Sequence, residues 1–334
     1  MNRVSYNEMK GELLRVLLKN GFSPERAELC ARLFTDASRD GVYSHGLNRF
    51  PSFIDQIKKG NVIVDAEPER ITAWGALERW DGQYGPGNLN AHAAMARVIE
   101  LSREHGLGAV ALKNTNHWMR PGNYGWQAAE AGCIGICWTN TMPNMPPWGS
   151  VESKIGNNPI VLAVPREGGH IVLDMAMAQF SYGQLQSYIF RGEPLPIEGG
   201  YDSAGNLTRD PAAIMETKRT LPIGYWKGSG LSIMLDLIAV MLSGGKSTYD
   251  LGQEGGERGI SQVFLAFDMT RDPAAHQELA ERIEQIVQDL QAAEPVPGSG
   301  SVRYPGEETL RRRQINLEQG IPVEPSVWQQ VLEL

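Results

Sequence analysis

Two side chains four residues apart carry the chemistry that this sequence most readily suggests. In the stretch from Gly41 to Lys59, His45 is followed by Gly46 and then by Arg49. An imidazole that titrates near neutral pH, beside a fixed guanidinium fork, is what reduction of a carbonyl in an anionic substrate requires. Gly46 lets the backbone turn directly after the histidine. The ordinary alternative is a locally hydrogen-bonded histidine and a surface salt bridge. A second polar group, Asn114 to Arg120, falls between an expected strand and an expected helix, where loops of mixed sheets collect ligands. There His117 and Arg120 would repeat the same pairing from the other wall of a site. A core histidine bonded to a backbone carbonyl is the competing reading. Trp118, Trp126, Trp138 and Trp148 surround this region and suit either a planar ring or a packed core.

These residues need a scaffold, and the hydrophobic pattern outlines one. Ser5 with Glu8 forms a capping box before a helix through Leu13, Leu14, Leu17 and Leu18. Ser23-Pro24 opens a second helix that ends near Gly41. Val42-Tyr43-Ser44 reads as extended or loop, and Pro51 suits the first turn of a helix carrying Phe53, Ile54 and Ile57. Val62 to Val64 and Arg70 to Thr72 read as short strands. A helix is expected from about Asn90 to His105, closed by Gly106. Strands then alternate with helices: Gly108 to Leu112, Ile134 to Trp138, Pro159 to Val164, Ile171 to Met175 and Ile260 to Phe267. Residues 192–211 read as an irregular excursion. Ser229 to Leu242 predicts a strongly apolar helix, and His276 to Ala293 an amphipathic one. The expected fold is α/β with a mixed sheet. Its helical lobe, residues 1–70, packs with the C-terminal helices of 307–334, and residues 71–306 form the sheet region.

Composition narrows the function. The chain has 334 residues, 42% of them hydrophobic, and a net charge of −8. That balance argues against a nucleic-acid surface. No secretory signal is read at the start, and no apolar run approaches the length of a membrane span, roughly 20 residues. Three cysteines, Cys30, Cys133 and Cys137, fit a reduced, cytoplasmic protein. Two phosphate motifs fail. Gly244 to Thr248 resembles the end of a P-loop, but Val240 stands where its first glycine belongs. The glycines from Gly224 to Gly230 lack the Rossmann spacing. That segment still opens an apolar helix, so Lys227 and the amides around Gly228 could hold a pyrophosphate or simply make a tight turn. The histidines form no H-x-x-x-H pair, which leaves a metal-dependent hydrolase or lyase using His45, His117 and His170 without local support.

Taken together, the blocks Gly41 to Gly46, Asn48 to Pro51, Asn116 to Arg120, Tyr124 to Glu130, Ile134 to Asn140, Met145 to Gly149, Phe180 to Gly183 and Leu221 to Gly230 resemble one family. It is the type-2 malate/L-lactate dehydrogenases, which bind NAD(P) without a Rossmann fold. The resemblance spans essentially the whole chain and points to a branch acting on 2-keto sugar acids. It implies His45 as proton donor. In a hydride transfer to a small 2-keto acid, Arg49 is then expected to pair with the carboxylate and His117 to polarise the carbonyl or bind a neighbouring hydroxyl, with Asn116 and Arg120 as further candidates for substrate hydroxyls. The resemblance implies cofactor contacts at His170, Ile171, Val172, Leu173, Asp174, Met175 and Ala176, at Trp226 and Lys227, and at Gly306, Glu307 and Glu308. It also implies a cytoplasmic homodimer with the site near the subunit boundary. NADH is expected if Glu308 meets the adenosine ribose. Arg311, Arg312 and Arg313 would favour NADPH unless they form a solvated helix face. One departure stands out: Asn157 in Gly156-Asn157-Asn158-Pro159, where the family often has threonine.

Overall fold

The computed structural model describes residues 2–271 and 273–334, with the backbone alone at 273–276. Strand β1 (Asn2–Val4) leads into helix α1 (Tyr6–Lys19), whose first turn is capped by Ser5 accepting from the Glu8 amide at 3.2 Å. Helix α2 (Pro24–Arg39) carries its proline in the first turn, where no amide hydrogen is needed. The segment after it, expected as extended or loop, is not extended. Tyr43–His45 and Leu47–Arg49 are single 3-10 turns joined at Gly46. A Cβ on Gly46 would stand 2.2 Å from Ser38 Oγ, and that same hydroxyl accepts from the Leu47 amide. The turn is therefore pressed flat against α2, which only glycine permits. Helix α3 (Phe50–Lys58) follows at once, with Pro51 in its first turn.

Val62 to Val64 is a turn, not a strand. Among the described residues no strand pairs with it. Ile63 gives its amide to Tyr84, and Arg26 takes the Val64 carbonyl. Strands β2 (Glu69–Trp74) and β3 (Leu77–Asp81) form a hairpin. Helix α4 (Gly87–His105) starts earlier than the sequence suggests, directly behind Pro86. Then come β4 (Leu107–Thr115), α5 (Gly122–Glu130), β5 (Cys133–Thr139), β6 (Ile160–Val164) and β7 (Ile171–Met175). The excursion expected at 192–211 lies within a small subdomain of α6 (Tyr182–Arg191), the β8 (Gly200–Tyr201) and β9 (Leu207–Thr208) pair, and α7 (Pro211–Thr217). Helices α8 (Trp226–Ser243) and α9 (Thr248–Glu254), strand β10 (Ile260–Asp268), and α10 (Pro273–Ala292) complete the sheet region. Helix α11 (Glu307–Gln319), β11 (Ile321–Val323) and α12 (Pro325–Glu333) end the chain.

The large sheet runs β2-β3-β4-β10-β5-β6-β7, with β3 and β4 parallel and the other pairs antiparallel. Its central strands are covered on both faces, which explains their near-continuous apolar runs. One face packs Val98, Trp118, Tyr124, Trp126 and Phe264. The other packs Trp138, Val263, Leu235 and Ala239. Trp118, Trp126 and Trp138 are thus core, and only Trp148 is exposed. A separate core joins the two ends of the chain: Leu13, Phe34, Phe50 and Ile54 pack with Ile321, Val323 and Val331. Strand β1 pairs antiparallel with β11 beside it.

Helix α8 is apolar all round, and by length and composition it is the one described helix that could cross a membrane. Its inner face lies on the sheet, while Asp236 accepts from Asn140 Nδ2 and the Thr248 amide. Its outer face leaves Met234, Leu237 and Met241 exposed.

Candidate active site

His45 ends the first 3-10 turn and is half-buried, with Ser44 Oγ 2.9 Å from its Nδ1. His117 comes from the loop after β4. The Met119 amide donates to His117 Nδ1 at 3.0 Å, so the neutral ring carries its proton on Nε2. Met119 adopts a φ of 64° to make this turn. The two imidazoles stack with centroids 5.8 Å apart and planes 26° from parallel. Burial lowers the pKa of both. His45 is brought down to about 4, first by desolvation and then by the charges of Arg49 and Arg120. His117 is pushed well below the usual range by burial, then by Arg49 and His45. The ordinary imidazole value of about 6.5, expected from sequence, does not hold here. Both rings are neutral at pH 7.

Beside them opens a cavity of about 390 Å³, lined by Arg49, Gln56, Asn61, His117, Met142 and Glu257 among others. No described residue makes a hydrogen bond or ion pair with the Arg49 guanidinium. An uncommitted guanidinium at a cavity wall is a ready receptor for a carboxylate. Glu257 escapes sequence reasoning. It follows Gly255-Gly256 in a loop with no motif, and only the fold carries it to this wall.

The remaining candidates divide. Asn116 lines the cavity, but its amide nitrogen already donates to the carbonyls of Tyr84 and Gly85, so it chiefly fixes the wall. Arg120 is not free for a substrate hydroxyl. It is 2% exposed and pairs with Asp40, which also binds Arg39 and Arg313. Arg313 is likewise no solvated residue: its guanidinium lies over the Trp126 ring at 4.4 Å. Asn157 accepts from Thr141 and Asn144 through Oδ1.

The residues expected to hold a cofactor flank β7. Gly306 meets its start, where the Val172 amide donates to Pro305 at 2.9 Å. Trp226 and Lys227 follow Ile223, whose amide donates to Met177 just past the other end. None of these residues lines the cavity beside His117. His170 accepts from the Arg166 amide and packs on Trp126. Glu307 Oε2 accepts from the Tyr304 amide, and Glu308 is held by Arg303, Arg311 and Arg312.

A nicotinamide cofactor fits this strand. β7 is the last strand of the sheet. Since the Val172 amide points outward, the period of two turns the Asp174 N–H and C=O outward as well. A neighbouring donor and acceptor on an open edge match a carboxamide. The Asp174 side chain accepts from the Gly122 amide and stays exposed. Arg120 Nε, close by, is buried with no partner among the described residues.

Comparison with known proteins places this geometry. The family described as malate/L-lactate dehydrogenase matches residues 4–332. The chain is 47% identical to 2,3-diketo-L-gulonate reductase of Citrobacter koseri and 46% to that of Klebsiella pneumoniae, over 99% of this chain and 100% of each relative. Among solved structures it is similar to malate dehydrogenase from Entamoeba histolytica, with a TM-score of 0.93, 25% identity, and 99% and 96% of the two chains covered. It is also similar to delta1-piperideine-2-carboxylate reductase from Pseudomonas syringae, with a TM-score of 0.86, 30% identity, and 100% and 99% covered. The chain belongs to the malate/L-lactate dehydrogenase family: it is an oxidoreductase acting on hydroxyl and keto groups with a nicotinamide cofactor.

Proposed function

We propose that the protein is an NADH-dependent reductase that converts 2,3-diketo-L-gulonate to 3-dehydro-L-gulonate by reducing the C2 carbonyl. The observation that carries this reading is the uncommitted Arg49 guanidinium in one cavity with His117, whose ring stacks on the neutral His45. The names of the relatives at 45–47% identity supply the substrate. The bound nicotinamide supplies the hydride. Arg49 pairs with the substrate carboxylate in bidentate fashion and so fixes which face of the keto group is presented. His117 donates its Nε2 hydrogen toward the carbonyl oxygen and polarises it. His45 gives a proton to the developing alkoxide. Its low pKa shapes this step. A substrate carboxylate on Arg49 offsets one of the charges that, after desolvation, suppress His45, and so raises the proton affinity of the ring as substrate enters.

The outward amide and carbonyl of Asp174 would hold the nicotinamide side of the cofactor, and Glu308 the adenosine ribose. NADPH is the second reading, because Arg303, Arg311 and Arg312 surround Glu308 and suit a 2′-phosphate. A second copy of the chain would cover the apolar outer face of α8. Trp226 and Lys227, at the start of that helix, would then lie at the subunit boundary. The three free, buried thiols suit the cytoplasm. The test is cofactor oxidation across a panel of 2-keto acids, with NADH and NADPH compared. Turnover of diketogulonate above oxaloacetate, pyruvate and ring imino acids is expected; a preference for any of those overturns the substrate.

A further inference from the structure

The cavity that presents Arg49 also presents one carboxylate. Glu257 sits on the loop after α9, in the wall that Met142 also lines. No described residue forms an ion pair with it, although Arg49 shares the cavity. Its neighbour Arg258 turns its guanidinium over the Tyr84 ring at 4.4 Å instead. On the α3 side, Asn61 Nδ2 donates to Gln56 Oε1 at 2.7 Å, which leaves Gln56 Nε2 without a partner among the described residues. The Ser52 hydroxyl in the same wall is also without one. The cavity thus has a cationic end and a neighbouring stretch that wants hydroxyl groups.

We propose that Glu257 determines substrate choice by accepting a hydrogen bond from the hydroxylated tail of the keto acid and by repelling a second carboxylate. This rests on the reading of the protein as a 2-keto sugar acid reductase. Each alternative tail fares worse against the same wall. A dicarboxylate such as oxaloacetate would set its second charge against Glu257 where little water screens it. The methyl group of pyruvate would leave Glu257 and Gln56 without a partner. A polyol tail supplies a donor to Glu257 and further partners to the amide and the hydroxyl. Burial raises the pKa of the Glu257 carboxyl and Arg49 opposes the shift, as expected for a group held at the edge of a site in order to bind.

The test uses the full chain with Glu257→Gln and Glu257→Asp. With NADH, Glu257→Gln should lower kcat/KM for diketogulonate about tenfold, mostly through KM, and raise it for oxaloacetate by a similar factor. Glu257→Asp should recover part of the preference. Cofactor affinity, read by quenching of tryptophan fluorescence, should stay unchanged in both variants. An unchanged ratio between the two substrates would overturn the assignment, as would equal losses on both. Calorimetry on the NAD-loaded protein with L-gulonate and malate reads the same ratio without turnover. If the wild-type protein oxidises no NADH with any keto acid, the functional reading fails, and a ratio that Glu257→Gln shifts in calorimetry would still support Glu257 as the selector.

Discussion

His45 is neutral in the free protein, and this sets the sign of the pH response. Reduction needs the protonated ring, and the free-enzyme pKa is about 4. kcat/KM for reduction should therefore fall close to tenfold per pH unit from roughly pH 5 to 8, while kcat/KM for alcohol oxidation, which uses the neutral ring, stays level. Parallel rate profiles in both directions check this. A break near 6.5 would mean that burial does not suppress the ring. His45→Ala should lower turnover by roughly 10²- to 10⁴-fold with cofactor binding intact. Arg49→Lys should weaken substrate binding more than cofactor binding, because a point charge does not reproduce the guanidinium fork; separate titrations of each ligand decide it. His45 and Arg49 can be proposed from sequence because one short turn holds both. Glu257 cannot be, because nothing near it in sequence signals a site and only the α9–β10 connection brings it to α3. Arg120 misled for a related reason. Its type and spacing suit a ligand, while its true partner, Asp40, sits in a different helix.

At the scale of elements, Asp40 at the end of α2 ties three parts of the chain together. Arg39 is its neighbour, Arg120 precedes α5, and Arg313 belongs to α11. These guanidinium groups hold the Asp40 carboxyl far below its ordinary pKa despite burial. Asp40→Asn leaves the buried Arg120 and the half-buried Arg313 short of a counter-charge and should cost about 3–5 kcal/mol, the range for breaking a buried pair. Urea unfolding of variant and wild type measures it, and a loss below about 1 kcal/mol would reduce the cluster to a surface-like pair. Helices α1 to α3 were legible from Ser5, Pro24 and Pro51. Helices α6 and α9 were overlooked, although Ser181 with Gln184 and Ser247 with Asp250 form capping boxes. Both helices are short, and the glycines beside them read as loop. The failed P-loop at Gly244 is simply the connection from α8 to α9.

For the molecule as a whole, the outer stripe of α8 is the feature that a single chain does not explain. Met234, Leu237, Ile238 and Met241 recur at helical spacing, and Met241 is 75% exposed. With a second copy over this face, Leu237→Glu combined with Met241→Glu should convert a dimer to a monomer by light scattering and depress activity with it. A wild-type protein that is already monomeric would refute the pairing. The mixed sheet was legible from its apolar runs. Its strand order was not, because β10, nearly last in sequence, inserts between β4 and β5.

The pairing of β1 with β11 has a temporal side. The lobe that carries His45 and Arg49 closes its core with Ile321, Val323 and Val331. During synthesis these residues are still inside the ribosome when the histidine has long emerged. The pocket is therefore finished only once residues 321–331 are free to pack, and a chain broken before them carries its reactive groups without the core that positions them.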